Sequence, residues 1–155
     1  MKKLKRLAVI LCAVTMLFAG CSKQTTKQPD PSAISKKLQS TMKFPEMLAI
    51  TKDRLTDFYS VDMSKVKSFS VYACSSAASA DEIAVFKCDS DADADSVKTA
   101  VESHKADKAS TFKNYGDPKE YKNIQNCVLE TKGSYVIFAV TDDNAKAQKT
   151  IDSFF

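Results

Sequence analysis

The sequence predicts an α+β domain in which an antiparallel sheet of two hairpins packs in two layers against helices, in the order αα-ββ-α-ββ-α. Three observations predict it. Apolar residues recur at helical spacing at both ends of the folded part and across its middle. Between those stretches lie two pairs of short apolar runs with strand character. Each pair is joined by a short connection, so its strands run antiparallel and the helices collect on the sheet. The 155 residues, 44% of them hydrophobic, suit one such domain with extensions and are too apolar for a disordered chain.

The elements follow in order. Asp30 is a good N-cap and Pro31 fits the first helical position; Ile34, Leu38 and Met42 then recur every fourth residue. This helix ends before Pro45, which biases Phe44 away from helical backbone angles. Thr51 caps a second, short helix carrying Leu55 and either Phe58 or Tyr59. The period then changes: Phe69, Val71 and Ala73 alternate with Ser70, Tyr72 and Cys74, which predicts a strand. Ser75 to Asp81 is a small, polar loop, and Glu82 to Cys88 closes the first hairpin. Asp93 or Asp95 starts a long helix with Val97, Val101, His104, Lys108, Phe112 and Tyr115 along one stripe, and Gly116-Asp117-Pro118 ends it. The second hairpin runs from Ile124 to Glu130, turns at Lys132-Gly133 and returns from Ser134 to Thr141. Leu129 then faces Val136 and Cys127 faces Phe138, all four on one side. Asp143 or Asn144 caps a last helix with Ala147, Ile151, Phe154 and Phe155 on its apolar edge.

The first twenty residues read as an address. Lys2, Lys3, Lys5 and Arg6 form a basic start, and Leu7 to Phe18 is an uncharged, largely apolar run of twelve. A membrane-spanning helix needs about 20 apolar residues and a secretory segment about 7–15, so the length indicates export. Leu17-Phe18-Ala19-Gly20-Cys21 resembles the lipobox of bacterial lipoproteins, with Phe18 in the place usually held by Leu, Val or Ile. The resemblance implies cleavage between Gly20 and Cys21 and attachment of acyl chains, palmitate among them, to Cys21. The expected organisation is a signal peptide at residues 1–20, a polar tether at 21–31 with two prolines, and a single α+β domain at 32–155.

Glu82-Ile83-Ala84-Val85-Phe86-Lys87, the long charged helix ending in Phe112 and Tyr115, and Gly133-Ser134-Tyr135-Val136-Ile137 together resemble a family of small lipoproteins from Gram-positive anaerobes. It is a domain-of-unknown-function family, numbered four-three-five-eight. The resemblance spans roughly Lys43 to Phe155. It implies an extracytoplasmic place at the cell membrane and brings no catalytic or binding residues.

Charge and motifs narrow the function. The formal charge is +4, but all four excess cations lie in residues 1–20; from residue 21 onward 19 basic residues face 19 acidic ones. Nothing in that balance marks a nucleic-acid partner. Asp91, Asp93 and Asp95 with Glu102 match positions 1, 3, 5 and 12 of a calcium loop. Ser96, however, stands where the loop requires glycine, and the expected role of this acidic run is a helix N-terminus. Cys74, Cys88 and Cys127 remain after cleavage. Cys74 and Cys88 close opposite ends of their strands, Cys88 with Cys127 is the more feasible pair, and burial as free thiols is the expectation. His104 reads as a partly buried helix residue with no thiol in reach. The chain has no phosphate-cradling glycine loop, HExxH, CxxC or nucleophile elbow. The expectation is therefore a lipid-anchored protein at the extracytoplasmic face of the cell membrane, with a non-catalytic binding or envelope-associated role. No catalytic, cofactor or metal residue is assigned, the membrane is reached through Cys21, and a protein or small-molecule partner is left open. The alternatives are substrate capture for a transporter, for which a single domain is small, or a small envelope enzyme.

Overall fold

A computed structural model describes residues 27–155. The signal segment, the cleavage pair Gly20-Cys21 and the lipid site at Cys21 lie outside the described residues. The elements are α1 (Pro31–Thr41), β1 (Met47–Ala49), α2 (Lys52–Tyr59), a 3-10 turn (Met63–Lys65), β2 (Val66–Cys74), β3 (Glu82–Cys88), α3 (Asp91–Tyr115), α4 (Pro118–Gln125), β4 (Val128–Lys132), β5 (Tyr135–Val140) and α5 (Asn144–Asp152). The five strands form one antiparallel sheet in the order β1-β2-β3-β5-β4. The α+β class and both hairpins are as expected, and the hairpins join through β3 and β5.

Helices cover both faces of the sheet. On one, Leu55 and Tyr59 of α2, Val97 and Val101 of α3 and Ile124 of α4 pack on Val71, Phe86, Val136 and Phe138. On the other, Ile34 and Leu38 of α1 and Ala147 and Ile151 of α5 pack on Ile83, Val85, Ile137 and Ala139. Alternate residues of β3 and β5 therefore enter two different cores, and all six residues of β5 are buried. That is why these strands read as continuous apolar runs.

Several boundaries differ from the sequence reading. The Asp30 carboxylate accepts the Ser32 N–H as a cap should, and Pro31 opens α1. The same Asp-Pro signature recurs at Asp117-Pro118, where Asp117 accepts from Lys119 N–H and a new helix starts. Gly116-Asp117-Pro118 thus ends α3 and also begins α4, and Ile124 belongs to that helix instead of opening a strand. Cys127 consequently precedes β4. Helix α3 begins at Asp91, before Asp93 or Asp95, because Ser90 supplies the cap. Tyr115, expected on the buried stripe, is 90% exposed. A helix of 25 residues runs to about 37 Å at 1.5 Å per residue, and its last turn overhangs the strands. Strand β1 has only three residues, too few for a period to register.

The turn of the second hairpin is Gly133-Ser134, not Lys132-Gly133: Lys132 pairs with Tyr135, Thr131 with Val136 and Leu129 with Phe138. Gly133 has φ +56° at the first central position, where a type II′ turn takes glycine. The alternative would ask Lys132 for a positive φ as well. The pairing moves by an even count, so Cys127, Leu129, Val136 and Phe138 still lie towards one core. Ahead of α1, the Tyr135 hydroxyl donates to the Pro29 carbonyl at 2.7 Å, fixing the entering chain beside the β4–β5 turn.

Candidate functional site

The site begins with a charged residue in an apolar position. Glu82 opens β3, the central strand, and shares the side of Ala84 and Phe86, so its carboxylate points at α2 and α3 with no exposure to solvent. Burying a carboxylate without partners is prohibitive, and three donors meet this one. Tyr59, the last residue of α2, donates its hydroxyl to Oε1. Lys108 Nζ lies 2.6 Å from Oε2. His104 Nε2 sits between the two oxygens, 2.9 Å from Oε1 and 3.1 Å from Oε2. An ionised carboxylate only accepts, so the ring nitrogen facing it carries the hydrogen. Spaced four apart on α3, His104 and Lys108 share a helix face.

The aromatic rings complete the enclosure. Tyr59 and His104 have ring centroids 4.2 Å apart, Phe58 lies 5.1 Å from His104, and Phe86 meets Tyr59 edge-on at 5.6 Å. Burial pushes the Glu82 carboxyl up, but the His104 hydrogen bond and the Lys108 charge outweigh it and hold the group below its ordinary value. Burial, reinforced by the Glu82 charge, drives the Tyr59 phenol well above its ordinary range. The carboxylate is saturated and sealed, so it is not placed to act as a base on a ligand. What it does is fix Lys108, whose ammonium has three N–H donors and gives one to Glu82.

Lys108 also lines a groove of about 510 Å³ between β1, α2, α3 and the β2–β3 loop. Phe58, Phe112, Ile50 and the half-exposed Leu48 give it apolar walls, and Ser75, Ser76 and Ser79 lie at the loop side. Its charged residues are Lys108 and Arg54; no acid lines it. Arg54 is exposed and forms no ion pair among the described residues. Two smaller depressions differ. One, of about 340 Å³ near the β4–β5 turn, sets Asp91 among Lys27 and Lys132. The other, of about 260 Å³, sets Asp142 and Asp143 among Lys43 and Lys146.

The residues singled out in the sequence fall elsewhere. Asp91 to Glu102 is continuous helix, so its carboxylates spread around a cylinder and cannot wrap an ion as a loop would. Ser90 caps the helix by accepting the Asp93 N–H at 3.1 Å, and its hydroxyl donates to the Asp93 carboxylate at 2.6 Å. The thiols of Cys74, Cys88 and Cys127 are free. Burial, helped by Asp93 and Asp89, pushes Cys88 up to about 11, and burial raises Cys127 against the influence of Lys105. Neither is an activated thiolate. His104 is partly buried as expected, and its partner is Glu82. The quartet was missed because its members lie 22 to 26 residues from Glu82 in sequence. The available signal was a lone glutamate heading a strand that is otherwise apolar as far as Phe86.

Fold and site together define a small α+β domain with an open, cation-lined groove backed by a buried carboxylate. The chain matches the family described as Domain of unknown function (DUF4358) over residues 40–141, and it belongs to that family. Comparison with curated proteins and with solved structures finds no match.

Proposed function

We propose that this protein is a lipoprotein held at the extracytoplasmic face of the cell membrane through Cys21, and that its domain is a non-catalytic binding module whose groove receives the ligand. The groove carries the reading: it is of ligand size, its walls are apolar, and its only charged residues are cations. A sealed Glu82 supports binding over catalysis, because the carboxylate that holds the groove's Lys108 has no access to a substrate. The anchor rests on the basic start, the short apolar run and Ala19-Gly20-Cys21. Among the described residues no helix is long and apolar enough to cross a membrane.

Two measurements test the two halves. Cells expressing the chain and fed labelled palmitate should label it, and Cys21→Ala should remove the label and leave the longer, uncleaved form. A Cys21→Ala product that is still acylated and shortened refutes the anchor. For binding, a collection of sugars, peptides and cell-wall fragments should contain members that slow amide hydrogen exchange in the groove-lining segments 48–58 and 73–79. If none does, the groove is not a binding surface.

A further inference from the structure

Resting on that reading of the groove, we infer that the ligand is an anion carrying an apolar body, a carboxylate joined to an aromatic or aliphatic group, with the carboxylate on Lys108 and Arg54. Charge complementarity carries the inference. From residue 21 onward the chain is electrically balanced, yet the groove lining holds two cations and no acid. The depressions of about 340 and 260 Å³ mix both signs, and a smaller one of about 110 Å³ has no charged lining residue.

The two cations play different parts. Lys108 is held at 2.6 Å by a carboxylate fully withdrawn from solvent, so its position is set before any ligand arrives, and two of its three N–H donors remain. Glu82 offsets its charge in the resting domain, so Lys108 serves as an oriented donor. Arg54 has no carboxylate partner among the described residues and supplies the uncompensated charge, with a planar fork suited to a carboxylate. Phe58, Phe112 and Leu48 offer the apolar body aromatic and aliphatic contact, and Leu48 gives up solvent exposure of 52% when covered. A neutral ligand would leave Arg54 without use, and a cation would meet the uncompensated charge of Arg54.

The test uses the full-length chain in nanodiscs with three probes that share one body: phenylbutyrate, phenylbutyramide and phenylbutylamine. The readout is protection of the groove-lining segments 48–58 and 73–79 from amide hydrogen exchange, mapped by peptide mass spectrometry. Alkylation of buried Cys88 reports unfolding in a parallel sample. Phenylbutyrate should protect these segments at a concentration about tenfold lower than the amide, as expected for one charge-assisted contact, and the amine least of all. Arg54→Gln and Lys108→Met should each abolish the advantage of the acid over the amide. Lys108→Met also strips a partner from Glu82; if Cys88 becomes reactive in that variant, Arg54→Gln alone decides. Equal protection by acid and amide overturns the anion and leaves the groove a binding surface. Strongest protection by the amine overturns the sign of the ligand. No protection by any of the three overturns the ligand class, and the wider collection of compounds then decides separately whether the groove binds anything.

Discussion

At the scale of single residues, Glu82 decides how α2, α3 and β3 meet, because every one of its acceptor sites is committed to a side chain from another element. Removing one member of a buried ion pair leaves the other uncompensated, which typically costs about 3–5 kcal/mol. Glu82→Ala should therefore destabilise the domain by about that much in denaturant unfolding. Tyr59→Phe, which removes one hydrogen bond to a charged acceptor, should cost less, about 1.5–3 kcal/mol. Near-neutral behaviour of Glu82→Ala would mean that solvent reaches Lys108 and His104 freely. None of this pairing was legible in the sequence. Local pattern identifies which residues are apolar, and His104 was placed correctly as a partly buried helix residue. Which acid meets which base depends on how strands and helices stack, and no spacing along the chain encodes a contact across 22 to 26 residues.

At the scale of elements, the second hairpin carries the sheet, since β5 pairs with both β3 and β4. Phe138 is fully buried against α3 and the core around it, so Phe138→Ala should lower stability by about 3–5 kcal/mol. Gly133 has φ +56° and a Cβ there would meet only Asp91 Oδ1 at an ordinary 3.7 Å, so Gly133→Ala should cost only the backbone strain, about 1–2 kcal/mol. Equilibrium unfolding of each variant alone checks both, and a larger loss for Gly133→Ala than for Phe138→Ala would reverse the assignment. Elements with a strong local signature were readable: the Asp-Pro start of α1, the extent of β3 and the face of β5. The turn moved by one residue because glycine suits either central position of a tight turn. Helix α4 was hidden by its own capping signature, which had been read as the end of α3 alone. The acidic run at Asp91 to Asp95 was legible as a helix start, and only its cap, Ser90, came earlier than expected.

For the whole molecule, the same buried carboxylate sets an acid limit. Its folded value is held below the ordinary 4.5, so the unfolded chain takes up its proton first as pH falls. The stabilisation from Glu82 is complete above about 4.5 and is lost as pH drops through the lower folded value. Tyr59 acts in the other direction: its raised value favours the folded state below 10, and that contribution declines as pH rises past it. Thermal midpoints between these limits should be flat with respect to both groups, and Glu82→Gln should flatten the acid limb; an unchanged acid limb in that variant would assign acid unfolding to other carboxylates. Under the proposed anchor at Cys21, one contact bears on how the domain is presented. The hydrogen bond from Tyr135 to Pro29 makes the Lys87–Tyr135 end of the sheet the point where the leash takes hold. Eight residues separate Cys21 from Pro29, a reach of at most about 28 Å. Ala73, Glu82 and Val140 stand together at the far end, about 17 Å along the strands, beside the groove. Under that proposed anchor, the groove stands at the pole of the domain opposite the point of attachment.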